Sequence, residues 1–106
     1  MANFRMNRFY YRPLPKNLKI CNSEIEGHGI FANCDIKKGT DLGSTHIKVP
    51  MIHGYVRTPL GGYINHSYDN NSMLYVKEDW DDYLIYNLIT IKKISKDEEI
   101  LINYEE

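Results

Sequence analysis

An amide, an imidazole and a hydroxyl stand in a row at Asn65-His66-Ser67, directly after Tyr63-Ile64 and the glycine pair Gly61-Gly62. Glycines let the backbone turn, so the run delivers three polar groups to the end of a short buried segment. A capped turn is the plainer reading, because Asn, Ser and Gly are ordinary turn residues. Upstream, Gly27-His28-Gly29 could let backbone approach a ligand closely, yet it lacks the third glycine and the strand-turn-helix setting of a dinucleotide site. His28, His46, His53 and His66 have no zinc-ligand spacing, so no metal is expected. Cys21 and Cys34 are neither a disulfide framework nor a zinc knuckle and read as buried thiols. Four acids surround a tryptophan in Glu78-Asp79-Trp80-Asp81-Asp82, which reads as a solvated loop whose field would also attract a lysine-rich substrate.

These groups must be positioned by a small body. The chain has 106 residues, 42% of them hydrophobic, enough for one core and not two. Its net charge of -1 hides an asymmetry, since Arg5, Arg8, Arg12, Lys16 and Lys19 all precede the first acid, Glu24. No apolar run is long enough for a signal peptide or a membrane span, and a soluble, intracellular protein of cytoplasm or host nucleus is expected.

Residues 1–17 mix arginines with Phe4, Phe9, Tyr10 and Tyr11 and carry Pro13 and Pro15, a composition for an extended basic-aromatic arm. Such an arm could stack on nucleic acid, but without a recognised motif, packing on a groove or a second subunit is the preferred use. From Leu18 onward, short apolar runs bounded by Gly, Asn or Asp predict strands over 18–21, 28–33, 41–49, 73–76 and 83–91, the last apolar on both faces and therefore central. Pro50, Gly54, Pro59, Gly61 and Gly62 make 50–62 a loop with room for one short helical turn.

One pattern repeats. Ile30-Phe31-Ala32, Ile36, Gly39 and Leu42 recur as Leu88-Ile89-Thr90, Ile94, Asp97 and Ile100 at a constant offset of 58 residues. The spacing predicts two related β-units around one site, although two hairpins can also resemble each other by chance.

Gly27-His28-Gly29-Ile30-Phe31-Ala32, Asn65-His66-Ser67 and Glu98-Glu99-Ile100-Leu101-Ile102-Asn103-Tyr104 occur in the order of a known family. The chain resembles the SET-domain protein lysine methyltransferases over roughly residues 18 to 104, and among them the minimal viral members. The resemblance implies a mostly β, β-clip-like SET domain over 18–106 that uses S-adenosylmethionine to methylate lysine side chains of a protein, histone-like or other, with a basic lysine-containing segment. It further implies that Gly27, His28 and Gly29 contact the cofactor, His28 mainly through its backbone. Asn65 and His66 would hold the cofactor's amino and adenine ends, and the hydroxyl of Tyr104 would orient the reacting amine and methyl group.

Some residues depart from the family pattern. Tyr68 stands where many members carry a zinc-binding Cys, Asn70 replaces a common Pro, Gly62 replaces a frequent Arg, and only Glu105-Glu106 follow Tyr104. In relatives the segment after that tyrosine walls the lysine channel. Here Tyr55, Tyr63, Trp80, Tyr83 and Tyr86, the arm, or a second subunit of a homodimer are the candidates to complete it, since aromatic faces attract a methylammonium. The short C-terminus also keeps open a non-catalytic module of the same fold that binds a protein or peptide.

Overall fold

The computed structural model describes residues 14–49, 54–80 and 83–104, so most of the basic-aromatic arm lies outside the described residues. Among the described residues eight strands and one short helix follow in the order β1 (Leu18–Asn22), β2 (His28–Ala32), β3 (Asp41–Lys48), β4 (Val56–Arg57), α1 (Pro59–Tyr63), β5 (Asn65–His66), β6 (Ser72–Trp80), β7 (Tyr83–Thr90) and β8 (Leu101–Ile102). They form an antiparallel β1-β2 pair, a four-stranded sheet in the order β4-β3-β7-β6, and a β5-β8 pair. The expected mostly β fold is the observed one, and β7 is an interior strand as its two apolar faces require.

The 58-residue repeat is built into the backbone. Ile36 and Ile94, equivalent positions in the two units, exchange both backbone hydrogen bonds, at 2.7 and 2.9 Å. Gly39 N–H donates to the Thr90 carbonyl and Asp97 N–H to the Ala32 carbonyl, each at 2.8 Å, so each turn closes on the other unit's strand. Phe31 bridges Glu99 while the equivalent Asp41 pairs with Ile89. The side chains follow the same plan: Ile30 and Leu88, Ile36 and Ile94, and Leu42 and Ile100 are all buried in one core. Each unit supplies one half of that core, so neither could bury its apolar face alone.

The short helix α1 fills the place expected for a helical turn. Thr58 caps it, its hydroxyl accepting from Gly61 N–H at 3.3 Å and donating to the Ser44 carbonyl at 2.6 Å, and Pro59 takes the first turn where no N–H is needed. A Cβ on Gly61 would lie 2.1 Å from the Thr45 carbonyl oxygen, so only glycine lets α1 sit this close to β3.

Two expectations need correction. The acidic stretch is no solvated loop through Trp80: Glu78, Asp79 and Trp80 extend β6 and pair with Ile85, Leu84 and Tyr83, after a bulge between Val76 and Glu78. The apolar partner strand carries the pairing, while the acids keep their side chains in water. The thiols are not both buried either, since Cys34 is exposed and Cys21 half-buried, at positions outside the core face. Leu14, at the end of the expected arm, packs against the core, and Leu18 N–H donates to the Pro15 carbonyl at 3.1 Å. Among the described residues no helix is long and apolar enough to cross a membrane.

Candidate functional site

Strand β5 is only two residues long, Asn65 and His66, and it lies parallel to β8 with Asn65 opposite Leu101 and His66 opposite Ile102. Its placement is secured from both sides. Ser67 N–H donates to the Ile102 carbonyl at 2.9 Å, and the Asn71 side chain donates to the Glu99 carbonyl at 2.8 Å and accepts from Leu101 N–H at 2.9 Å. The Asn-His-Ser run is therefore held against the C-terminal strand that ends at Tyr104.

The Asn65 amide nitrogen donates to Glu99 Oε2 at 2.8 Å and lies 3.2 Å from the carbonyls of both Glu26 and His28. With three acceptors around the NH2 group, the orientation of the amide is determined, and no described residue donates to its oxygen, which is left as an acceptor. Glu99 also accepts from the Ser23 hydroxyl, 2.9 Å from each carboxylate oxygen. The carboxylate thus joins the turn before β2 to β5, directly over Gly29. A Cβ on Gly29 would come within 2.2 Å of Glu99 Oε2 and 3.1 Å of the Asn65 amide nitrogen, which explains the glycine. Gly27 is required for a different reason, a φ of 47° in an open turn. His28 opens β2 with its ring edge-on to Tyr63, centroids 6.4 Å apart, and offers its carbonyl to Asn65.

His66 and Tyr104 meet in two ways, and Tyr68 adds a third contact to the imidazole. Tyr104 N–H donates to His66 Nδ1 at 3.0 Å, the two rings stack with centroids 5.1 Å apart, and Tyr68 packs edge-on to the imidazole at 4.8 Å. Because Nδ1 accepts, the proton of the neutral ring sits on Nε2. The Tyr104 hydroxyl donates to the Ile64 carbonyl at 2.7 Å.

On the far side of Tyr104 opens a cavity of about 550 Å³ lined by His46, Gly54, Tyr55, Arg57, Gly61, Gly62, Ile64, Leu74, Tyr86 and Tyr104. Tyr55 and Tyr86 lie 5.7 Å apart, and Tyr55 is edge-on to His46 at 6.0 Å. His46 Nδ1 is 2.9 Å from the Thr45 hydroxyl. That hydroxyl donates to the Tyr86 carbonyl at 3.3 Å, so it accepts from the His46 N–H. Burial, and secondarily the neighbouring Arg57 guanidinium, hold the His46 imidazole below its ordinary value of 6.5.

The structure gathers the expected residues into two groups that share Tyr104. Gly29, Asn65 and the backbone of Gly27 and His28 lie on one side, joined through His66 to Tyr104; Tyr55 and Tyr86 line the cavity on the other. Tyr63 packs on His28, and Trp80 and Tyr83 pair with each other at the end of the β6-β7 hairpin, so these three do not line the cavity. Sequence reasoning missed Glu99, Ser23, His46 and Arg57 as site residues. Glu99 had a usable signal, because it is the repeat-equivalent of Asp41, another carboxylate held by side-chain donors. His46 and Arg57 had none, being brought opposite each other only by the β3-β4 register.

Comparisons with known proteins bear on the family and the fold. The family model of the SET domain matches residues 48–105, more than half of the chain. A crystal structure of a Plasmodium falciparum protein described as a candidate histone methyltransferase superposes with a TM-score of 0.68 at 22% identity, covering 86% of this chain and 95% of that one. The Chaetomium thermophilum Polycomb repressive complex 2, in an autoinhibited conformation bound to S-adenosylmethionine, is similar with a TM-score of 0.64 at 21% identity, covering 84% of this chain. A humanized mutant of that complex bound to an inhibitor gives 0.63 at 23% identity over 84% of this chain. The present chain spans only 15% of the length of those larger chains, and at such identities the likeness is one of fold. No curated protein sequence matches significantly.

Proposed function

This chain belongs to the SET-domain family, and from that premise we propose that it is a protein lysine methyltransferase that uses S-adenosylmethionine. The observation that carries the reading is the position of Tyr104, whose ring stacks on His66 of the Asn-His-Ser run while also lining the aromatic cavity. The donor set fits the cofactor. The Asn65 amide oxygen, to which no described residue donates, suits an ammonium, His66 offers Nε2–H, and the backbone at Gly27 has open space beside it.

When bound, the cofactor supplies a methyl group on a sulfonium, ready for in-line transfer. The chain's own residues do the rest. Asn65, the Gly27-Gly29 backbone and His66 hold one partner, and the Tyr55, Tyr86 and Tyr104 rings line the space for the other, a neutral lysine amine. Their faces exclude water and attract the methylammonium product. The Tyr104 hydroxyl, its proton held by the Ile64 carbonyl at 2.7 Å, turns its oxygen lone pairs to the reacting groups, where they would accept from the amine N–H and face the positive charge as it moves.

A second reading, a binding module of the same fold without activity, draws on the exposure of Tyr104, 62% of whose surface is open to solvent. We propose that a second copy of the chain packs over this ring in a homodimer. Calorimetry with S-adenosylmethionine and its demethylated product, followed by labelled-methyl transfer to lysine peptides, tests the enzyme reading. Saturable binding with transfer supports it, and saturable peptide binding without cofactor binding supports the module.

A further inference from the structure

The aromatic cavity carries a charge that its reading as a lysine site does not explain. Among the described residues that line it there is no carboxylate, and the permanently charged one is Arg57. The Arg57 guanidinium makes no ion pair or hydrogen bond with any described residue, whereas Lys19, Lys77 and Lys92 each have an acid within reach. It lies on β4, at the edge of the four-stranded sheet, directly opposite His46, and its own charge helps keep that imidazole neutral.

An unpaired guanidinium beside an incoming lysine is unfavourable unless something neutralises it. Arginine presents a planar fork that matches a carboxylate with two parallel hydrogen bonds. There is room for a second group as well. At about 30 Å³ for each water-sized group, the five heavy atoms of a lysine side chain fill about 150 Å³, well below the cavity's 550 Å³.

We propose that Arg57 reads an acidic side chain next to the substrate lysine, so that this cavity takes lysine segments with an Asp or Glu neighbour. The inference rests on the cavity being the lysine site. It sharpens the expectation of a basic substrate segment: Asp79, whose charge reaches Tyr86 of the lining, would attract basic residues of a substrate from just outside the cavity, while Arg57 would select an acid beside the lysine. Because Arg57 is exposed, the discrimination is modest, on the order of fivefold.

The test uses fluorescence anisotropy with labelled peptides identical except beside the lysine, where Glu, Gln or Lys is placed on either side in turn. Each is measured with the parent, Arg57→Gln and Arg57→Glu at low and moderate salt, with methyl transfer followed in parallel. The expected result is a Glu peptide bound about fivefold tighter than the Gln peptide on one side, a preference lost in Arg57→Gln, reversed toward the Lys peptide in Arg57→Glu, and weakened by salt. Parent affinities within twofold of one another, or a Glu preference that persists in Arg57→Gln, overturn the proposal. Discrimination without transfer to any peptide upholds Arg57's role while refuting the methyltransferase reading; transfer without discrimination does the reverse. Arg57→Gln, a neutral change at an exposed position, decides the matter even if the charge-reversed protein folds poorly.

Discussion

Asp97 adopts a φ of 74° at the turn position that Gly39 occupies, with a φ of 83°, 58 residues earlier. The two turns have the same hydrogen bond, each N–H reaching the last strand residue of the other unit. Glycine accepts this left-handed backbone freely, and Asp is among the few other residues that tolerate it. Gly39→Ala has open space for its methyl group, so its effect is a pure backbone cost, expected at about 1–2 kcal/mol in denaturant unfolding. Asp97→Gly relieves the same strain and gives up only an exposed pair with Lys19, so no loss of stability is expected. An Asp97→Gly protein that unfolded as early as Gly39→Ala would show that the two turns are not equivalent.

The Gly29, Glu99 and Asn65 contact makes a prediction about coupling. Gly29→Ala forces a methyl group onto the Glu99 carboxylate and should destabilise the fold by about 1–3 kcal/mol while weakening cofactor binding. Adding Glu99→Ala removes the clash, so the double variant should be more stable than the sum of the two single changes indicates. Strict additivity in a double-mutant cycle would mean that the side chains do not meet.

Much of this was legible in the sequence. The offset of 58 residues located the paired turns and the three core pairs, because a repeated backbone plan requires small or left-handed residues and buried aliphatics at repeated positions. The Asn-His-Ser run and Tyr104 were found by resemblance. The cavity lining was not, since five aromatics look alike in sequence and only the β3-β4 and β3-β7 registers bring Tyr55 and Tyr86 together while leaving Trp80 and Tyr83 at the hairpin end. The acids after Val76 misled for a related reason. Their side chains suit a loop, but strand pairing was decided by the apolar partner residues Leu84 and Ile85.

Asp41 gives a prediction in pH. Partial burial raises its pKa, but hydrogen bonds from Tyr75, Asn87 and the Gly43 amide, with Lys77 nearby, outweigh that and bring the carboxyl below its ordinary 3.8. A depressed carboxylate stabilises the fold fully above the unfolded value and ceases to do so as pH falls through the lower folded value. The stability gap between the parent and Asp41→Asn should therefore be constant from about pH 7 to 5 and shrink below about pH 4. Denaturant titrations at each pH would show it, and a gap unchanged down to pH 2 would mean that the Asp41 hydrogen bonds are not formed in solution.

The methyltransferase account stands on the Tyr104 hydroxyl, and single-turnover methyl transfer by Tyr104→Phe, with cofactor affinity measured on the same protein, tests it most directly. The ring that stacks on His66 is kept, so folding and cofactor binding should stay close to the parent, in contrast to Asn65→Ala, which should lose cofactor affinity first. Transfer should fall by about a hundredfold or more, the scale of removing one preorganised hydrogen-bonding group. Transfer at the parent rate with normal cofactor affinity would contradict the account and remove Tyr104 from the chemistry.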